Sequence, residues 1–194
     1  MEKLLLIDNY DSFTWNLVHY LEAILDAQVD VVRNDEVTIS NAAEYSRFVF
    51  SPGPGLPTES GMMMDLIAHF HTTKPMLGVC LGQQAIAQYF GAELQQLENP
   101  IHGLQRECIV SDEFNDHPFF KNIKSPFTVG RYHSWVVNKV NLPSDLQIMA
   151  VDSGGEIMAL KHSDFPIYGV QFHPESIMTP SGKSILENWL QITR

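Results

Sequence analysis

Cys80 sits in Gly78-Val79-Cys80-Leu81-Gly82, between an apolar run and a helix-forming stretch. A strand-to-helix turn this tight leaves no room for side chains at Gly78 or Gly82. It pushes the residue between them into a strained, exposed position where a nucleophile can be mounted. A helix starting at Leu81 aims its free N–H groups and positive dipole end at the sulfur, favouring thiolate and supplying a donor to an oxyanion. Much later in the chain, His173-Pro174-Glu175 follows another apolar run. Residues two apart in an extended segment share a face, and Pro174 favours extended backbone at His173, so Glu175 can hold the imidazole. A thiol, a histidine to take its proton and an acid to orient the histidine make a nucleophilic triad. A third segment, Ser51-Pro52-Gly53-Pro54-Gly55, can present N–H groups near Gly53 as an anion-binding nest.

Each piece also has an ordinary reading. A cysteine after an apolar strand is commonly a small core residue, His-Pro-Glu a capped turn, and Pro-Gly-Pro-Gly a stiff turn. Their joint occurrence is what argues for chemistry. Cys108, within Glu107-Cys108-Ile109-Val110, reads as a core residue of a strand, and His19, His69 and His71 as surface or packing residues of helices.

The elements that must position these residues follow from periodicity. Leu4 to Ile7, Val29 to Val32, Phe48 to Phe50 and Met76 to Val79 read as strands. Between them, Phe13, Leu17, Leu21, Ile24 and Leu25 recur at helical spacing behind a candidate Ser12 cap, and Met62 to Phe70 and Ala85 to Phe90 suit two more helices. After Gly91 the pattern turns strand-rich: Gln105 to Val110, Phe127 to Tyr132, Gln147 to Val151, Ile157 to Leu160 and Ile167 to Phe172, with Ser181 to Leu190 as a closing helix. The expected fold is a single α/β domain over residues 1–194: a largely parallel central sheet flanked by helices, with additional strands in the second half. Ligands of such sheets bind outside the carboxyl ends of the strands, where Asp8-Asn9-Tyr10-Asp11, Ser51 to Gly55, Cys80 and His173-Pro174-Glu175 all fall.

Composition narrows the partners. A formal charge of −11 disfavours nucleic acid and anionic membrane, since phosphate binding rests on clustered Lys and Arg. Lys3 to Ile7 is too short for a signal-peptide core and no other run reaches membrane-spanning length, so a cytoplasmic protein is expected. Two cysteines in such a domain read as free thiols, and neither has metal-site spacing.

Taken together, Asp8 to Thr14, Ser51 to Gly55, Gly78 to Gly82, Arg131-Tyr132-His133-Ser134 and Gly169 to Ser176 compose an ordered pattern over nearly the whole chain. It resembles the class I, triad-type glutamine amidotransferases, specifically the small subunits of anthranilate synthase and aminodeoxychorismate synthase, and implies their flavodoxin-like fold. The resemblance implies that Cys80 is the nucleophile, His173 the general base and then acid, and Glu175 the orienting carboxylate. It also places backbone N–H groups near Gly53 and at Leu81 in an oxyanion hole. Gly53, Pro54, Gly55, Leu81, Gln84, Ser134 and Trp135 then form the glutamine and oxyanion site. Three positions depart from the common pattern: Gln83 stands where His is usual, Trp135 where Leu is usual, and Leu104 where Lys is frequent. Gln83 is expected to tune packing or partner contact, Trp135 the pocket shape, and Leu104 the interface.

The implied substrate is L-glutamine, and the implied partner a large chorismate-binding synthase subunit that consumes the ammonia; no metal or organic cofactor is required. Two other readings stay open on the residues: a stand-alone thiol hydrolase of γ-glutamyl substrates, and a silent binding subunit. The second would need a lost triad member.

Overall fold

The computed structural model of the chain describes residues 3–194. Its first half alternates strand and helix: β1 (Leu4–Asp8), α1 (Thr14–Leu25), β2 (Asp30–Arg33), α2 (Ile39–Ala42), β3 (Arg47–Phe50), α3 (Met63–Phe70), β4 (Met76–Val79) and α4 (Leu81–Tyr89). The second half holds β5 (Leu94–Val110), β6 (Phe127–Val137), β7 (Leu146–Asp152), β8 (Ile157–His162), β9 (Ile167–Val170) and α5 (Gly182–Ile192). Among the described residues these strands make one sheet in the order β2-β1-β3-β4-β9-β8-β7-β5-β6. The first five in that order run parallel, and the remaining pairings are antiparallel.

Strands β1, β3, β4 and β9 are buried on both faces, as parallel strands under two helical layers must be, while β2 at the sheet edge is partly exposed. Their side chains alternate. Leu4, Leu6, Val49 and Leu77 pack in one core with Leu17 and Leu21 of α1 and Leu186 and Trp189 of α5. Leu5, Ile7, Phe48, Phe50 and Met76 pack in a second with Leu66, Ile67 and Phe70 of α3 and Ile86 of α4. Each such side chain taken out of water contributes about 1.5–3 kcal/mol. A one-residue slip of any strand would exchange the two cores, so register is firmly set.

Three local differences from expectation have physical causes. The hairpin β5–β6 begins earlier on β5 and ends later on β6 than their apolar stretches indicate: residues 94–104 mix polar with apolar side chains, none of them fully buried, with register breaks between Gln96 and Ile101 and between His102 and Leu104. Alternation fails as a signal where neither face is fully buried. Ser12 does not cap α1. The Asp11 carboxylate accepts from the Phe13 N–H at 2.8 Å instead, and Asp8 accepts from the Thr14 hydroxyl at 2.8 Å. Finally, α2 is a four-residue helix too short to leave a periodic pattern; a Thr38–Asn41 capping box holds its first turn.

No helix among the described residues is long and apolar enough to cross a membrane. At the far end of the chain, α5 starts with Gly182, and a Cβ there would overlap the Pro174 backbone. This close approach seats α5 against the loop that carries His173. Gly182→Ala is therefore expected to lower unfolding stability by about 1–3 kcal/mol through overpacking. Urea unfolding checks this, and an unshifted midpoint would show that the loop yields freely.

Candidate active site

The parallel pairing of β4 with β9 sets Val79 opposite Val170, so the residues leaving both strands enter the same space. Cys80 turns sharply out of β4 with φ 52° and ψ −101°. That conformation costs a non-glycine residue about 1–3 kcal/mol and persists only where its surroundings enforce it. Here the Cys80 N–H donates to the Val170 carbonyl at 2.8 Å, and its own carbonyl accepts from the Gln84 N–H at 3.1 Å. The flanking glycines are obligatory: a Cβ at Gly78 would strike the Gly82 backbone, and one at Gly82 the Phe50 backbone. Leu81 opens α4, so helix geometry leaves its N–H without an intrahelical acceptor, next to the sulfur.

His173 follows β9 after two further residues. Its N–H donates to Gly130 of β6 at 3.0 Å, and its carbonyl accepts from the Thr179 hydroxyl at 2.7 Å. Thr179 Oγ1 in turn accepts from the Gly130 N–H at 2.9 Å, closing a frame around the histidine backbone. The His173-Pro174-Glu175 segment is not extended: the Ser176 N–H donates to the His173 carbonyl at 3.2 Å, making a turn. Proline favours this geometry because its fixed φ suits the second position of a turn. The outcome is still a close pair, with His173 Nδ1 2.6 Å from Glu175 Oε1 and both side chains buried. Phe13 and Tyr132 hold the ring between their edges, at centroid distances of 5.6 and 4.9 Å.

His173 Nε2 has no hydrogen-bond partner. Burial alone would drive the imidazole neutral, but the Cys80 sulfur and the Glu175 carboxylate together outweigh it and hold the ring charged well above its ordinary range.

Gly53, Pro54, Gly55, Gln84, Ser134 and Trp135 line one cleft of about 340 Å³ with Cys80. Leu81 does not line it; its side chain is packed in the core beneath. The glycine loop is pinned from below, where the Ser51 hydroxyl accepts from the Asn9 N–H at 2.8 Å and the Ser51 carbonyl from Asn9 Nδ2 at 2.9 Å. Beyond that anchor Pro54 and Gly55 are exposed. Gln96, His102, Tyr132 and His133 also line the cleft, and sequence reasoning does not single them out for it. The period-two pattern of β6 is an available signal: Arg131 and His133 are both polar on a strand, and a buried arginine demands a buried acid. Asp152 is that acid, paired with the Arg131 guanidinium. Arg131 Nε donates to His133 Nε2 at 3.0 Å, and His133 Nδ1 donates to the Trp135 carbonyl at 3.0 Å. Burial, reinforced by the neighbouring guanidinium, pushes the His133 pKa down to about 3, so it is neutral at working pH.

A sequence model of the family described as glutamine amidotransferase class-I matches residues 5–192. The chain belongs to the class I glutamine amidotransferases. Among relatives, the aminodeoxychorismate/anthranilate synthase component 2 of Bacillus subtilis is 45% identical over 193 residues, covering 98% of this chain and 97% of that protein. The bifunctional protein TrpGD of Thermotoga maritima is 42% identical over 99% of this chain, which spans about a third (32%) of that protein's length. The crystal structure of a glutamine amidotransferase from Thermotoga maritima superposes with a TM-score of 0.79 over 99% of this chain and 97% of that one; at 16% identity the likeness concerns the fold alone.

Within this amidotransferase the three departures have distinct settings. Gln83 is fully buried against Gly169 of β9, so it acts in packing and cannot touch a partner. Trp135 lines the cleft, and Leu104 is exposed on β5 opposite Arg131. Cys80 and Cys108 are both free. Cys108 lies in the core, where burial raises its thiol pKa far out of the reactive range.

The raised His173 pKa gives a test with a definite sign. The folded protein keeps this proton above the ordinary histidine value of about 6.5, so the contribution to stability is complete below that value and is lost as pH rises through the folded one. In Cys80→Ala the sulfur is gone and burial regains weight, so the NMR titration midpoint of His173 should fall. An unmoved midpoint would mean that the sulfur and the imidazole do not interact.

Proposed function

We propose that this chain is the glutaminase subunit of a chorismate-using synthase: it hydrolyses L-glutamine through a Cys80 thioester and hands ammonia to a large partner subunit. The observation that carries the reading is the placement of Cys80 and His173 after adjacent parallel strands, with Glu175 on the far imidazole nitrogen. The names borne by its relatives, which join anthranilate and aminodeoxychorismate synthesis, supply the chorismate chemistry.

The steps follow from the geometry. His173 already holds the thiol proton as imidazolium, and the Cys80 thiolate attacks the side-chain amide carbon of glutamine in the cleft. The amide oxygen gains negative charge, met by the Leu81 N–H at the start of α4 and by N–H groups of the Gly53 loop. His173 returns its proton to the departing nitrogen, releasing ammonia and leaving a glutamyl thioester. It then deprotonates a water that attacks the thioester, giving glutamate and free thiol. Glu175 fixes the ring orientation and stabilises the imidazolium throughout. Gln84 and Ser134, with the backbone at Gly55 and Trp135, hold the amino-acid end of the substrate.

Ammonia released into bulk water is lost as ammonium, so the site needs a partner over it. Ile177, beside the His-Pro-Glu turn, is 93% exposed, and Trp15 on α1 is 58% exposed; Tyr10 and Leu104 add to this apolar fringe. Ile177 shares a second cleft with Phe13, Tyr132 and Glu175, and Tyr132 lines the glutamine cleft as well. A synthase subunit seated there would cover these side chains. A cytoplasmic location accords with the need for a reduced Cys80.

Two measurements on the complex follow. Cys80→Ala should abolish glutamine-dependent synthesis while ammonia-dependent synthesis by the partner stays nearly intact; retained glutamine-dependent turnover would end the proposal. The isolated chain should be a poor glutaminase that the partner activates by an order of magnitude or more, because docking fixes the exposed Pro54-Gly55 loop, and a few kcal/mol in that equilibrium change a rate by orders of magnitude. Equal rates with and without the partner at saturating glutamine would instead favour a stand-alone γ-glutamyl hydrolase.

A further inference from the structure

Gln171 is completely buried, and its carboxamide touches the sulfur that the proposed mechanism uses: Gln171 Nε2 donates to Cys80 Sγ at 3.4 Å. Its Oε1 accepts from Gln84 Nε2 at 3.1 Å. A carboxamide has nearly the same outline when its oxygen and nitrogen are exchanged, but the surrounding partners forbid that exchange here. Gln84 Nε2 also donates to the Trp135 carbonyl at 2.8 Å, and a carbonyl can only accept. The Gln84 amide nitrogen must therefore face both Trp135 and Gln171, which requires an oxygen from Gln171 on that side and leaves its N–H for the sulfur. The Trp135 carbonyl is itself held from behind by His133 Nδ1–H. The His133 tautomer is set by Arg131, whose Nε can only donate to Nε2, and Arg131 is locked by Asp152. The direction of each bond, from the buried ion pair to the nucleophile, is thus determined by a group that has no alternative role.

We infer that Gln171 is a further catalytic residue, donating a hydrogen bond to the Cys80 thiolate, and that the Asp152–Arg131–His133 chain acts through the Trp135 carbonyl and Gln84 as the positioning device that keeps the Gln171 amide turned toward the sulfur. A thiolate accepts an N–H far better than a thiol does, so a donor on sulfur favours the reactive form. His173 supplies positive charge near the sulfur, but its Nε2 makes no hydrogen bond in the resting site, whereas the Gln171 N–H reaches the sulfur there. Gln171 has no proton to transfer and stays in place. Its link to Gln84 also joins the group that receives the substrate to the group that tunes the nucleophile, so occupation of the cleft is felt at the sulfur.

The inference rests on Cys80 being the nucleophile, and the test separates the two. The rate of Cys80 carboxamidomethylation by iodoacetamide, followed by mass spectrometry against pH, reports the thiolate directly and needs no partner. Gln171→Met keeps the volume but removes the donor. Its alkylation midpoint should rise by about one pH unit, with kcat/KM for glutamine reduced about tenfold near neutrality and recovering toward wild type at alkaline pH. Gln171→Glu preserves an acceptor for Gln84 but sets a carboxylate beside the sulfur, and should raise the midpoint further. A change in packing alone would lower activity at every pH without moving the midpoint. Unmoved midpoints in the folded variants, with Cys80→Ala inactive, would overturn the role of Gln171 and leave the nucleophile standing. Glutaminase activity retained by Cys80→Ala would overturn both.

Discussion

The site depends on the pairing of β4 with β9. These strands are far apart in the chain, yet their parallel register puts Val79 beside Val170, and the hydrogen bond from the Cys80 N–H to the Val170 carbonyl extends the ladder into the elbow itself. That bond holds Cys80 in its strained conformation and fixes the point from which residues 171–175 depart. Closing so long a loop carries an entropic cost that grows only slowly with length, and the two apolar cores, each running through β4, supply far more. A weak hydrogen bond at the chemistry is therefore backed by burial on both faces of the sheet.

Glycine appears where backbone must meet backbone. Gly78 and Gly82 let α4 descend onto β4 and β3 at the elbow, and Gly182 lets α5 touch the turn carrying His173. Cys80 and His173 are thus each wedged between a strand end and a helix start. Such contacts are rigid, as a reacting pair requires, because a misplacement of about 1 Å can cost a hundredfold in rate. The glycine loop at Gly53 is different: anchored through Asn9 and Ser51, it is exposed at Pro54 and Gly55. Rigidity is thereby concentrated at sulfur and imidazole, while freedom is left to the segment that a docking partner can set.

Much of this is legible in the residues. The parallel strands are built on short apolar runs, ended in β1 by Asp8 and in β4 by Cys80, and the run Met76 to Val79 coincides with β4 to the residue. The family pattern leads to the triad positions and to the cleft residues from Gly53 to Trp135. What the sequence conceals has a common cause: information that belongs to two segments at once. The outer half of the β5–β6 hairpin sets polar residues against apolar or aromatic ones, Gln96 opposite Trp135 and Ile101 opposite His133, across two register breaks, so neither strand alone shows a period. Ser12 resembles a cap because serine often is one, but Asp8 and Asp11 compete for the same donors and carry a full charge. The segment at Pro174 reads as extended because proline permits both conformations; the choice is made by Thr179, a few residues on, and by Gly130, remote in sequence. Arg131 and Asp152 say nothing of each other until β6 is known to lie one strand away from β7, with β5 between them.

That last pair also explains why ionic groups are tolerated in the core behind the cleft. A buried ion pair gains little net stability over apolar residues of equal volume, since desolvation consumes most of the attraction. Its advantage is directional. An arginine donates only and a carboxylate accepts only, so the pair imposes one tautomer on His133, and His133 one hydrogen-bonded setting on the Trp135 carbonyl. Apolar replacements would fill the space equally well and leave the histidine free to turn over, and the Trp135 carbonyl without the N–H that holds it in front of Gln84. The sheet thus accepts a charged pair of modest stabilising value because three of the groups between it and the sulfur of Cys80, the His133 ring and the Gln84 and Gln171 amides, can point two ways and must point one.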